Sequence, residues 1–143
     1  MAATTITYNG IDYAVFGGGN NSNVVDFMYL TGSGSSISSD KISGTLSTPR
    51  IDLAATTITY NGVDYAVFSG NDISDVVDFM YLTGSGSSIT ANRISRTLST
   101  PRIDLAATTI TYNGVDYAVF GGGDGDNGRS DLVDFMYLTT EDG

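Results

Sequence analysis

Residues 2–53 and 54–105 are two copies of one 52-residue text, aligned without a gap and differing at 11 positions. Residues 106–120 repeat 54–68 without change, and VDFMYL recurs at 133–138 in a third copy. A period of this length constrains the fold more than any composition does. Each unit must be one supersecondary element that buries its apolar surface against its neighbours. The units are 1–53, 54–105 and 106–143, and the third lacks the STPRIDL segment that ends the other two. Copies this alike imply recent duplication or design. Variation concentrates in the loop after AVF and in SSDK/TANR, with Gly44/Arg96 nearby.

One unit divides into four extended segments. AATTITY (54–60) is rich in β-branched residues, and Asn61-Gly62 after it is a strong hairpin signal because both residue types tolerate positive φ. VDYAVF (63–68), VVDFMYL (76–82) and a more polar strand within ITANRISRTL follow, separated by a Gly/Asn/Asp loop and by TGSGSS. Pro101 has no N–H to give a ladder, so STPR reads as the connection to the next unit. No stretch carries a helical period.

The middle strands are apolar on both faces. Val63, Tyr65 and Val67 alternate with Asp64, Ala66 and Phe68; Val77, Phe79 and Tyr81 alternate with Val76, Met80 and Leu82. Such a sheet must be covered twice, and without helices the cover is other sheets. One four-stranded antiparallel sheet per unit, stacked face to face, predicts an all-β chain of three β-propeller blades. The apolar fraction, 41%, suffices for such a core.

Charge and residue usage exclude several functions. The formal net charge is -10 and Lys41 is the single lysine, so clustered cations for nucleic acid or an anionic membrane are missing. Cys and His are absent, which removes disulfides, thiolate nucleophiles, zinc-finger ligands and imidazole bases. No apolar run approaches the roughly 20 residues of a membrane span. MAATTITYNG has neither the basic region nor the apolar segment of a secretory leader.

The text STPRIDLAATTITYNGVDYAVFGGG…VVDF resembles the Kelch repeat. Arg50 and Arg102 match the family's arginine before the first strand. Gly17-Gly18 and Gly121-Gly122 match its glycine doublet, where the second unit has Ser69-Gly70. Tyr13, Tyr65 and Tyr117 match its second-strand aromatic, and Ile42 and Ile94 stand for its fourth-strand tryptophan. The resemblance implies a propeller. It says little of function, since Kelch propellers mostly bind proteins but include enzymes.

Propellers typically have 4–8 blades, so three do not close a ring. Two uncovered apolar faces of several hundred Å² each would cost on the order of 10 kcal/mol. Self-association is therefore expected. A homodimer gives six blades; a trimer or an open filament is the alternative. The first strand of the chain is an innermost strand and only the outermost strand of the third unit is missing, so nearly whole blades would meet.

Candidate sites follow from the pattern. The loops at 17–23, 69–75 and 121–131 differ while the strands do not, as on a binding face, which nominates Asn20, Asn21, Asp72, Ile73, Asp124, Asp126 and Asn127 for a glycan or protein ligand. Asp124, Asp126 and Asp131 offer oxygen ligands to calcium, but the spacing is not that of an EF-hand, and a solvated acidic turn is the favoured reading. Asp26, Asp78 and Asp134, with Arg50 and Arg102, recur once per unit; they are read as compensated structural pairs and not as a charged channel. Tyr8, Tyr60, Tyr112, Tyr29, Tyr81 and Tyr137 could stack on sugars but are assigned to blade packing. The paired glycines precede no helix and no Lys-Ser/Thr, so they are not phosphate loops. No metal, cofactor or catalytic set is assigned. Equivalent acids repeated three times are not an acid/base pair. Two functions are carried: a non-enzymatic structural or interaction protein that self-assembles, and a bacterial or phage surface module that binds through its variable loops.

Overall fold

The computed structural model describes residues 1–71, 74–126 and 128–140. The chain is all-β. Strands β1 (Ala2–Tyr8), β2 (Ile11–Gly17), β3 (Ser22–Thr31) and β4 (Ser38–Arg50) form one antiparallel sheet in sequence order. Strands β5 (Ala54–Tyr60), β6 (Val63–Ser69), β7 (Val76–Thr83) and β8 (Thr90–Thr97) form the second in the same order. The third sheet has β9 (Ala106–Tyr112), β10 (Val115–Gly121) and β13 (Val133–Met136). A separate small hairpin pairs β11 (Asp124–Gly125) with β12 (Gly128–Arg129) inside the β10–β13 connection.

The first hairpin of each unit turns on Asn-Gly with both residues at positive φ: 50° and 77° at Asn9-Gly10, 49° and 75° at Asn61-Gly62, and 51° and 76° at Asn113-Gly114. This is the turn whose twist matches paired strands. It sets the register Ile6↔Tyr13 and Ile58↔Tyr65 and so places those side chains on one face.

We call that face the front of each sheet. The front of the first sheet carries Ile6, Tyr13, Val15, Val25 and Phe27. It packs on the back of the second, Ala66, Phe68, Met80 and Leu82, in one buried cluster. The front of the second sheet, Ile58, Tyr65, Val67, Val77 and Phe79, packs likewise on Ala118, Phe120 and Leu138 of the third unit. The two-sided apolarity of β6 and β7 thus has its cover on both sides. Ile42 and Ile94 border these clusters, half-buried. The stack is open at its two ends.

Two details differ from the sequence expectation. Ser-Thr-Pro-Arg of the first unit is not simply a connection: β4 continues through it, pairing Arg50 with Ser22 beyond an irregularity in register. Such an irregularity spares Pro49 the ladder bond it cannot make. The TGSGSS loops each contain one 3-10 turn, Gly34–Ser36 and Gly86–Ser88.

The Gly44/Arg96 difference also has a cause. A Cβ on Gly44 would stand 2.7 Å from Cβ of Ala91, because β4 lies against β8. Arg96, the equivalent residue on β8, is half-buried, and among the described residues the third sheet has no fourth strand to lie against it. Gly44→Val should lower stability by about 1–3 kcal/mol, the usual result of overpacking, as read from urea denaturation.

Candidate functional site

Each internal seam between sheets is tied at three levels. At the strands that begin each unit, threonines stitch the sheets. Thr57 Oγ1 donates to the Thr5 carbonyl at 2.6 Å and lies 2.6 Å from Thr4 Oγ1. Thr109 makes the same bonds to the Thr57 carbonyl and Thr56 Oγ1, each 2.6 Å. Asp64 accepts from Thr59 Oγ1 of its own sheet at 2.6 Å and from the Thr7 N–H of the preceding sheet at 2.8 Å. Asp116 does the same with Thr111 Oγ1 at 2.6 Å and the Thr59 N–H at 2.8 Å. These bonds occupy backbone groups on the unpaired edges of β1 and β5. The sequence reading missed Asp12, Asp64 and Asp116. The available signal was their recurrence directly across the hairpin from a threonine, as in Thr7↔Asp12.

The apolar cluster forms the middle level. Within it, Tyr13 meets Tyr29 with ring centroids 5.3 Å apart and Tyr65 meets Tyr81 at 5.1 Å; Tyr117 meets Tyr137 at 5.3 Å in the same way on the open front of the third sheet. Tyr8 donates its hydroxyl to the Gly84 carbonyl of the next unit. Tyr60 borders the second cluster, and Tyr112 is exposed. Burial pushes the Tyr13 and Tyr65 phenols above their ordinary 10.0, and the neighbouring tyrosines add to it. The raised value means that the fold prefers the neutral phenol. Its stability contribution is complete below pH 10 and is lost as pH rises through the higher folded value. The urea midpoint should therefore hold from pH 7 to about 9 and fall above about 10. A Tyr13→Phe, Tyr65→Phe chain should show a shallower fall.

The third level is an arginine clasp. Arg50, wholly buried, leaves the first unit and reaches into the second. Its Nη2 donates to Asp78 Oδ2 at 2.9 Å and its Nη1 to the Val76 carbonyl at 2.6 Å. Ser47 adds its N–H and Oγ to the same Asp78 oxygen, each at 2.9 Å. Asp78 Oδ1 accepts from Ser95 Oγ at 2.6 Å. Burial pulls the Arg50 guanidinium below its ordinary pKa, and Asp78 pushes it part of the way back. Arg102 repeats the clasp onto Asp134, with Nη1 donating to the Leu132 carbonyl at 2.8 Å and the Gly122 carbonyl at 3.0 Å. Ser99 Oγ adds a bond to Asp134 at 3.1 Å. The backbones of the clasps are held by the unit they leave: Gly19 N–H donates to the Arg50 carbonyl and Asn71 N–H to the Arg102 carbonyl, each at 3.0 Å.

Asp26 is the same residue without the clasp. It keeps the bond from Ser43 Oγ at 2.6 Å, matching Ser95 on Asp78. Its other oxygen faces Lys41 Nζ at 3.8 Å, on a side chain 29% exposed.

The loop candidates lie at the end of the sheets where β2 runs into β3, β6 into β7 and β10 toward β13. Asn20 and Asn21 are exposed, with φ of 47° and 58°, in the β2–β3 turn. Asp124 is tied by its backbone to Ile103 through two bonds of 2.9 Å. Asp126 and Asp131 line a groove of about 330 Å³ with Arg102 and Arg129. Asp72, Ile73 and Asn127 lie outside the described residues. No group of three or more acidic residues among the described residues could hold a metal ion. Among these residues, too, no helix is long and apolar enough to cross a membrane.

The two open faces are apolar. On the back of the first sheet Phe16 is 39% and Leu30 70% exposed, whereas their counterparts Phe68, Leu82, Phe120 and Leu138 are buried. On the front of the third sheet Ile110 is 44% and Phe135 52% exposed, whereas Ile6, Ile58, Phe27 and Phe79 are buried. Comparison with family models, curated proteins and solved structures finds no match.

Proposed function

We propose that the chain is a non-enzymatic structural and interaction protein, a Kelch-like propeller unit that self-associates head to tail. The observation that carries this reading is that the two exposed faces are the two halves of a seam the chain already contains twice. The back of the first sheet offers Ala14, Phe16, Met28 and Leu30, the residue types that fill the internal seams as Ala66, Phe68, Met80 and Leu82. The front of the third sheet offers Ile110, Tyr117, Val119, Val133 and Phe135 in the places of Ile58, Tyr65, Val67, Val77 and Phe79. The polar ties correspond too. Asp12 stands where Asp64 and Asp116 accept a backbone N–H from the preceding sheet, and Thr5 stands where Thr57 and Thr109 donate to a carbonyl. A contact of this kind is heterologous, so it closes into a ring or runs on as a filament. Two copies supply six blades, within the usual range. Burying a Leu or Phe side chain contributes about 1.5–3 kcal/mol, and each seam holds several.

Sedimentation equilibrium tests the reading. The expected particle has two chains, twice 15.0 kDa. A monodisperse single chain at micromolar concentration would refute it. Twofold higher mass without concentration-dependent growth would distinguish the ring from a filament.

The second reading, a surface module that binds a glycan or protein, is favoured by Asn20 and Asn21. They are exposed on a connection that differs between units while the strands beneath it do not. A glycan array probed with the wild-type chain and with an Asn20→Ala, Asn21→Ala chain should then show a signal that the variant loses while its mass stays unchanged.

A further inference from the structure

The arginine clasp has three acceptors per chain and two donors. Asp78 holds Arg50 and Asp134 holds Arg102, and both arginines are wholly buried in those roles. Asp26 meets the side chain of Lys41 instead, more than half exposed, at 3.8 Å. Around Asp26 the groups of the accepting sheet that receive the side chains are in place, while the backbone holder, which in the internal seams belongs to the preceding sheet, is not. Ser43 holds one carboxylate oxygen as Ser95 does for Asp78. The Val24 carbonyl accepts from Gly18 N–H at 3.0 Å, as the Leu132 carbonyl accepts from Gly122 N–H at 3.0 Å while also taking the Arg102 guanidinium. A carbonyl oxygen has two lone pairs, so the Val24 oxygen retains one for a guanidinium. Beside these groups runs a groove of about 440 Å³ that includes Phe16, Gly18, Asn20, Val24 and Asp26 in its lining.

We propose that this groove is a binding site for an extended Ser-Thr-Pro-Arg segment supplied by another chain, its guanidinium seated between Asp26 and the Val24 carbonyl. The ligand class is read from the two occupied copies of the site. In each, the serine three residues before the arginine donates to the same carboxylate oxygen as the guanidinium, at 2.9 Å from Ser47 Oγ and 3.1 Å from Ser99 Oγ. A segment carrying Ser and Arg at that spacing therefore makes two charge-assisted contacts to one oxygen, a selectivity that an isolated cation does not share. Pro between them suits an extended conformation. The chain's own two Ser-Thr-Pro-Arg segments are engaged in internal seams, so a second copy has none to lend without opening a seam. The site lies on the rim of the first sheet's exposed back face. It is compatible with self-association, since in the internal seams the clasp and the apolar contact coexist.

A fluorescein-labelled peptide, Leu-Ser-Thr-Pro-Arg-Ile-Asp-Leu, titrated with the full chain and followed by anisotropy, tests the proposal. Saturable binding is expected. Replacing the peptide arginine by alanine should weaken it about tenfold or more, and so should Asp26→Asn in the protein. Asp40→Asn, a change at an exposed acid on the same sheet, should leave it unchanged. The peptide substitution needs no folded variant, so it remains decisive if Asp26→Asn perturbs the sheet. Equal binding of the arginine and alanine peptides, or no saturation at millimolar protein, overturns the site. Mass measured without peptide reads self-association separately: a monomer that binds the peptide through Asp26 removes the assembly reading and keeps this one.

Discussion

Chains carrying Phe16→Asp and chains carrying Phe135→Asp should each sediment as single 15.0 kDa particles, and an equimolar mixture should form a two-chain particle that grows no further. Phe16 lies on the back of the first sheet and Phe135 on the front of the third, both exposed, so neither change disturbs an internal seam. In the mixture, the intact third sheet of the Phe16→Asp chain meets the intact first sheet of the Phe135→Asp chain. The reciprocal seam holds two buried carboxylates that lack partners, each costing several kcal/mol, and stays open. An isologous contact through one face behaves differently: one variant would dimerise alone and the mixture would gain nothing. Mixing therefore tests the head-to-tail geometry as well as the association.

Asp78→Ala should lower the free energy of unfolding by about 3–5 kcal/mol, because it strands the buried Arg50 guanidinium and three serine donor groups. Asp26→Ala, at the equivalent place in the first unit, should cost only about 0–1 kcal/mol, the value of an exposed ion pair. Asp134→Ala should fall between, since Asp134 is partly exposed while Arg102 is not. Urea denaturation of the three variants gives the order. Equal losses at all three positions would contradict a role set by the neighbouring sheet.

The clasp also bears on register. The clasps bury Nε of Arg50 and of Arg102 without a protein partner among the described residues. They hold the end of one unit at a defined place on the next, with the backbone of the arginine on one sheet and its guanidinium in the other.

Much of the fold was legible in the residues. The Asn-Gly pairs announce the hairpins because few other residues accept two successive positive φ values. Alternation in Val63–Ser69 and Val76–Thr83 announces sheets covered on both sides. The small β11–β12 hairpin was less legible, because it lies inside a Gly-rich connection with no apolar alternation to mark its strands. The loop candidates rest on variability alone, and variability does not say which side chains converge. Asn20 lies in the lining of the Asp26 groove, whereas Asp124 is engaged through its backbone.

What the sequence determined by itself was the unit: its length, its order of strands, its hairpin register and its two apolar faces. All of these follow from local backbone preference and side-chain alternation, which are identical in identical copies. The tertiary structure decided what each copy of a residue does. Phe16, Phe68 and Phe120 have the same strand neighbours, and Asp26, Asp78 and Asp134 sit in the same VDFMYL text. One phenylalanine is exposed and two are buried, and one aspartate meets a lysine while two clasp arginines from the preceding unit. Burial and ion pairing depend on the sheet next door, and a repeated sequence does not encode which of its copies has one.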